Sequence, residues 1–360
     1  MRIIFIIQGE GRGHMTQAIS LRDILIRNGH QVPEVLVGKS PNREIPQFFF
    51  DKIQVPVLTY ESPNFQVAQN NKGIKIYQSV LHNLFKIGTY IKSCQFIKNR
   101  IKEVQPDMVI NFYEMLAGIT YMFFNPKTPY ICLGHQFLLL HPGITLPKGH
   151  KFQIWGLNTL TKITSFRAKK RLGLSFISMP DIPGKKLYVV PPLLRKEVLS
   201  LTPTEGNYIL GYVLNAGYSE EILNWHKSKP NIVAHFFWDK KDAPEDLELE
   251  PNLYFHRISD VKFLEYMKGC MGFSSTSGFE SICEAMYLRK PILMVPTGGH
   301  IEQLCNSVDA TLSGAGITLD HFDLDALLDY IPKYPKDDTS FVKWVLSAEK
   351  RFLELLDEPS

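Results

Sequence analysis

At 360 residues, 44% hydrophobic and 21% charged, the chain has enough apolar material for a large core or two domains, which excludes a disordered or fibrous protein. Five scattered cysteines (Cys94, Cys132, Cys270, Cys283 and Cys305) with no C-x-x-C pair exclude a disulfide framework and a cysteine zinc site and fit a reducing cytoplasm. The net charge of +4 conceals an asymmetry, about +15 over residues 1–200 and −11 over the rest, and a basic half is expected to face something anionic.

The opening run "RIIFIIQ" reads as a strand, too short for a signal sequence, and no later stretch reaches membrane-spanning length. It leads into "GEGRGH", three glycines in five positions followed by His14. Glycines let backbone N–H groups approach a phosphate or sugar, and a following helix N-terminus favours negative charge. The next helix spans 14–28 with Ala18, Leu21, Ile24 and Leu25 on one face, closing at Asn28-Gly29. "QVPEVLVG" is a second strand, which Pro33 confines to an edge or a strand start. It ends at Gly38-Lys39 instead of the acid a dinucleotide site expects. Lys39 and Arg43 suit a 2′-phosphate, so an NADP site stays open beside a nucleotide-sugar site and a tight turn with no ligand.

Further along, the sequence predicts a helix over about 76–103, the strands "DMVINF" and "PYICLG", and a basic amphipathic helix over 155–171. No acid falls between Glu114 and Asp181, whereas Lys127, Lys148, Lys151, Lys162, Arg167, Lys169, Lys170 and Arg171 do. That span either packs its apolar positions inward or rests on an anionic membrane surface. His135 and Gln136 follow a strand's carboxyl end, where the crevice of a doubly wound sheet opens. With Glu114 they are candidate acceptor contacts.

After "LYVVPPLLRKEVLSLTPTEG" the alternation restarts with "NYILGYVLNAG", "NIVAHFFW", an acidic loop, "NLYFHRI", "CMGFSSTSG" and "PILMVP". We therefore expect an α/β protein with two doubly wound halves: an acceptor domain over 1–196, a linker over 197–206, a nucleotide-sugar domain over 207–340, and a last helix from about Phe341 to Leu356 returning toward the first. Ser277-Gly278 begins a helix whose free N–H groups can receive a pyrophosphate. Glu284, two turns on, can accept from vicinal sugar hydroxyls. The loop Thr297–His300 leads to Glu302 and Gln303, which can reach hydroxyls further along the donor. Asp323 and Asp325 resemble a D-x-D metal motif, but at a helix start they read as caps, and no metal or cofactor is expected.

Gly278, Ser281, Glu284 and Ala285, then Pro291, Pro296, Glu302-Gln303-x-x-Asn306 and Gly314-x-Gly316, resemble the donor-site signature of GT-B glycosyltransferases. The likeness is greatest to glycosyltransferase family 28, with its peptidoglycan N-acetylglucosaminyltransferases and diacylglycerol glycosyltransferases. The first glycine loop, G-x-G-x-G-H-x-x-Q-A, and the second, "GYVLNAG", agree with it. Arg289 replaces a usual glycine, and Ser274-Ser275-Thr276 stand where plant-type relatives carry a phosphate-touching histidine.

The resemblance implies a GT-B fold, two Rossmann-like domains facing a central cleft, and transfer of a sugar from a nucleotide diphosphate sugar, UDP-linked, to an acceptor hydroxyl with inversion. His14 would be the general base. Gly11, Gly13, Asn215, Ser277, Gly278, Glu284, Glu302 and Gln303 would hold the donor. Expected partners are the donor, a glycan, lipid or small-molecule acceptor and an anionic membrane surface, with no nucleic acid. A non-catalytic sugar-nucleotide sensor and a GT-B-shaped epimerase acting on UDP-GlcNAc remain as alternatives.

Overall fold

The computed structural model describes residues 1–63, 86–213, 216–238, 240 and 242–357. Within them the chain forms two seven-stranded sheets. The first comprises β1 (Ile3–Gln8), β2 (Val35–Lys39), β3 (Val57–Glu61), β4 (Met108–Phe112), β5 (Tyr130–Gly134), β6 (Lys170–Leu174) and β7 (Leu187–Val190), in the order β3-β2-β1-β4-β5-β6-β7. The second comprises β8 (Tyr208–Val213), β9 (Val233–Trp238), β10 (Asp246–Glu250), β11 (Leu253–Arg257), β12 (Gly272–Ser275), β13 (Ile292–Met294) and β14 (Gly316–Thr318), in the order β10-β11-β9-β8-β12-β13-β14. Neighbouring strands pair in parallel except β10 with β11. Both faces of a parallel sheet are covered by helices, so central strands are apolar throughout. Ile3 to Ile7 of β1 are all fully buried.

Strand order reverses at β1/β4 in one sheet and at β8/β12 in the other, and these switch points open a crevice at the carboxyl ends. The glycine loop leaves β1 there, Tyr113 and Glu114 leave β4, and Ser277-Gly278 follow β12. Sequence and structure agree on both doubly wound halves and differ locally. Pro33 lies just before β2, which has neighbours on both sides. The acidic loop before "NLYFHRI" contains the edge strand β10, where exposed carboxylates discourage further pairing. Of the helix expected over 76–103, Ile87–Val104 is helical and 76–85 lies outside the described residues.

Two corrections have a clear physical cause. The basic helix runs only Lys151–Thr164; Arg167 then adopts φ +63°, and Lys170 and Arg171 belong to β6. Lys170 is buried with Nζ donating to the Leu355 carbonyl at 2.6 Å, and Arg171 bonds Ser165 Oγ and the Lys185 carbonyl. The final helix is two helices, Ser340–Leu346 and Ala348–Asp357, divided at Ser347, whose hydroxyl donates back to the Trp344 carbonyl. The pair reaches the first half through Trp344 Nε1 on the Ser175 carbonyl and through the Arg351–Asp181 and Arg27–Glu349 ion pairs.

Candidate active site

The glycine loop works through close approach, since none of Gly9, Gly11 and Gly13 has a positive φ. A Cβ at Gly9 would meet the Gly38 carbonyl oxygen at 2.8 Å, and one at Gly13 would lie 3.2 Å from Glu280 Cγ of the second half. Around Gly11, the cap of helix Arg12–Arg27, there is open space. The loop thus locks onto β2 at one glycine, touches the opposite half at another and leaves room between.

His14 is buried two residues into that helix, with its ring stacked 5.9 Å from Tyr113. Its Nδ1 lies 3.3 Å from Gln17 Oε1, one helical turn on. Burial pulls the imidazole below its ordinary 6.5, partly opposed by the charge of Glu302 and the bond to Gln17. Neutral near pH 7, it can act as a base.

Across the crevice, Ser277 adopts φ +60° ahead of the Phe279–Tyr287 helix, capped by Gly278. A non-glycine residue in the left-handed region stores strain of about 1–3 kcal/mol. Tyr113, beside His14, does the same at φ +57°. Ser277 Oγ, Asn306 Oδ1, Glu280 Oε2, Gln136 Oε1, Asp309 Oδ2 and His135 Nε2 are buried without a hydrogen-bond partner among the described residues. Orphaned polar atoms cost about 1–3 kcal/mol each. These six lie in residues linked by contacts within and between the two halves, and buried polar groups left without a partner call for an explanation.

The two halves meet through these residues. Gln17 Nε2 donates to Glu280 Oε1 at 2.6 Å and Gln136 Nε2 to Glu302 Oε1 at 3.0 Å. His135 stacks on Phe279 at 4.3 Å and donates from Nδ1 to the Leu174 carbonyl. Its Nε2 lies 3.8 Å from Asp309 Oδ2. Burial pulls His135 to about 4 and pushes Asp309 up to about 6, so this is no ion pair at neutral pH.

Glu284 sits buried on the Phe279–Tyr287 helix with both oxygens engaged by Arg195, which also lies 3.8 Å from Asp260; Arg12 reaches Asp260 at 3.6 Å. Gln303 Oε1 accepts from Thr297 N at 2.8 Å and so holds the Thr297–His300 loop, while Asn306 Nδ2 donates to the Ser277 carbonyl. Glu114 is buried as the cap of Met115–Phe123, with Oε1 accepting from Ser62 Oγ and Leu116 N. Asn215 lies outside the described residues. Asp323 caps its helix by accepting from Ala326 N. Beside Arg12, a recess of ≈ 490 Å³ at the carboxyl ends of β9 and β11 is lined by Trp238, Lys240, Arg257 and Ser259.

His14, Gly13, Gln136, Glu302, Ser277 and Gly278 are thus gathered at one crevice. Sequence reasoning did not single out Arg195, Glu280 or Asp309, which act across the two halves and carry no local signal. Gln17 was legible as the residue one turn after His14.

Two facing doubly wound sheets with a polar crevice at their switch points define a GT-B protein. The chain matches the model of glycosyl transferase family 1 over residues 1–335 and belongs to that family. It is 22% identical over 340 residues to an uncharacterized glycosyltransferase of Methanosarcina acetivorans, covering 88% of this chain and 83% of that one. Among solved structures it is similar to LpCGTa in complex with UDP, at 13% identity and TM-score 0.65, covering 100% of this chain and 99% of that one. It is also similar to UDP-GlcNAc 2-epimerase from Neisseria meningitidis bound to UDP-GlcNAc, at 13% identity and TM-score 0.60 over 100% of both chains. At these identities the structures share the fold. Family membership sets aside the NADP reading of Lys39 and Arg43.

Proposed function

We propose that the protein moves a hexosyl or N-acetylhexosaminyl group from a UDP-sugar to an acceptor hydroxyl, with inversion, the first half holding the acceptor and the second the donor. The orphaned polar atoms around strained Ser277 carry this reading. The diphosphate sits on the N–H groups that begin the Phe279–Tyr287 helix, with Ser277 Oγ donating to it, so helix dipole and N–H groups meet the developing charge without a metal. The recess at β9 and β11 takes the base. Glu284 binds the ribose: a carboxylate has about four lone-pair sites, and Arg195 occupies two while fixing its orientation. Asn215, Gly11, Gly13, Glu302 and Gln303 complete the donor site; His135, Gln136 and Glu114 stand on the acceptor side.

His14 takes the acceptor proton as the new glycosidic bond forms and the bond to UDP breaks. In keeping with the family 28 resemblance, we propose an acceptor presented at an anionic lipid surface. Phe152 (89% exposed), Trp155 (69%) and Phe123 (74%) support this, lying on neighbouring helices of the basic half.

The test is UDP release from a panel of UDP-sugars with lipid, glycan and small-molecule acceptors. Acceptor-dependent release that falls about 10²–10⁴-fold in His14→Ala supports the reading. Conversion of UDP-GlcNAc without acceptor favours an epimerase, and binding without turnover a sensor.

A further inference from the structure

A histidine that serves as a base must present an unprotonated nitrogen to its substrate, and the hydrogen bond at its other nitrogen decides which one that is. Among the described residues no carboxylate is bonded to His14; its Nδ1 faces Gln17 Oε1 at 3.3 Å. An amide oxygen only accepts, so in this arrangement Nδ1 carries the proton and Nε2 keeps its lone pair. The orientation of the amide is itself determined, because Gln17 Nε2 donates to Glu280 Oε1 at 2.6 Å. Burial pushes Glu280 up to about 8; as a carboxylate, or as an acid with its proton on Oε2, it accepts from Gln17 Nε2 and holds this direction, whereas a proton on Oε1 would reverse it.

Resting on the proposed transferase reading, we infer that Gln17 and Glu280 are positioning residues that fix the Nδ1-protonated tautomer of His14 from across the crevice. His14 and Gln17 sit on one helix of the first half, whereas Glu280 occupies the first turn of the Phe279–Tyr287 helix in the second. The base is therefore set only when the halves meet. Gly13 belongs to the same device, since a side chain there would press on Glu280 Cγ at 3.2 Å. Among the described residues the Tyr113 ring and the charge of Glu302 also act on His14, and neither accepts from Nδ1.

The experiment labels histidine nitrogens with ¹⁵N in the full chain and reads the His14 tautomer by NMR, alongside kcat, KM and pH–rate profiles for UDP release. The parent should hold His14 as the Nδ1–H form. Gln17→Leu should mix the tautomers and lower kcat by an order of magnitude or more with donor KM within about twofold, because a wrong tautomer loses the base and not the site. Q17E/E280Q exchanges amide and carboxylate while keeping both hydrogen bonds. It should restore the Nδ1–H form and move the acid limb of the rate profile to higher pH, since a carboxylate beside Nδ1–H favours the imidazolium. A parent His14 in the Nε2–H form, or a Gln17→Leu variant with unchanged tautomer, overturns the inference. The tautomer is read without turnover, so a protein that transfers no sugar would sink the transferase reading and leave this one still decided.

Discussion

Arg195 grips Glu284 with two parallel bonds, Nε to Oε1 at 2.6 Å and Nη2 to Oε2 at 2.9 Å. Both side chains are largely buried, at 14% and 5% exposed. Removing one partner of such a pair strands the other in a poorly solvated site, at a cost of about 3–5 kcal/mol. Arg195→Ala should therefore lower the urea midpoint strongly, and Arg195→Lys nearly as much, because an ammonium cannot supply the planar fork. Glu284→Ala should lose comparable stability and, if it binds the ribose, about tenfold or more in UDP affinity by calorimetry. Unchanged UDP affinity in a folded Glu284→Ala protein would leave it a purely structural partner of Arg195.

Ser277 joins left-handed strain to a buried hydroxyl without a partner among the described residues. Ser277→Gly relieves the strain and removes the hydroxyl; after glycine's own entropy cost it should stabilise the free protein by about 1 kcal/mol or less. Ser277→Ala removes the orphaned hydroxyl but keeps the strain, so it should also stabilise the free protein, by less than Ser277→Gly. Both should weaken UDP binding several-fold, the worth of one neutral hydrogen bond of about 0.5–1.5 kcal/mol. Affinity that falls in neither variant would take Ser277 Oγ out of the donor site.

Burial pushes Glu114 from its ordinary 4.5 up to about 7, with the bonds from Ser62 and Leu116 only partly opposing it. The folded chain then holds a proton that the unfolded chain releases near 4.5. The stability this group contributes is full below about 4.5 and lost as pH rises to about 7, on the order of 3 kcal/mol. Glu114→Gln keeps an acceptor for Ser62 and Leu116 and has no proton to lose. Denaturant midpoints at pH 5 and pH 8 should differ less in this variant than in the parent, and an identical difference would show that Glu114 titrates normally.

Phe152 and Trp155 project from the Lys151–Thr164 helix while its buried positions are Thr161 and Thr164. The basic residues left to meet a surface are Lys151, Lys162 and neighbours such as Lys127 and Lys148, each contributing about 1 kcal/mol near anionic lipid. Binding to anionic vesicles should thus appear at low salt, fade at high salt and be absent on zwitterionic vesicles. Phe152→Ser with Trp155→Ser should reduce it further without altering the salt slope. Binding indifferent to charge and salt, or no binding at all, would overturn the anionic-surface reading and shift the acceptor toward a soluble glycan or small molecule. Among the described residues no helix is long and apolar enough to cross a membrane.

Much of the architecture is a local property and so was readable residue by residue. Apolar runs such as Ile3–Ile7 bounded by glycine mark buried parallel strands, and the alternation with amphipathic helices gives two doubly wound sheets whose crevices follow from strand order. The order in which His14 follows a glycine loop and Glu284 follows Ser277-Gly278 is likewise written along the chain. Patterning misled where a polar residue had a distant partner. Lys170 and Arg171 continued a basic periodicity, yet the Leu355 carbonyl, 185 residues away, makes a buried lysine in a strand satisfiable.

What only the tertiary structure decided is which charges are already taken and which polar atoms are not. Glu284 looks like a free carboxylate until Arg195, 89 residues earlier, closes on it, and His14 looks unpartnered until Gln17 is oriented by Glu280, 263 residues later. Hydrogen bonds require atoms within about 3 Å, and a linear sequence carries no distance between residues so far apart. The glycine loop could announce a close approach, but that Gly9 meets the Gly38 carbonyl and Gly13 meets Glu280 is settled by packing of the two halves against each other.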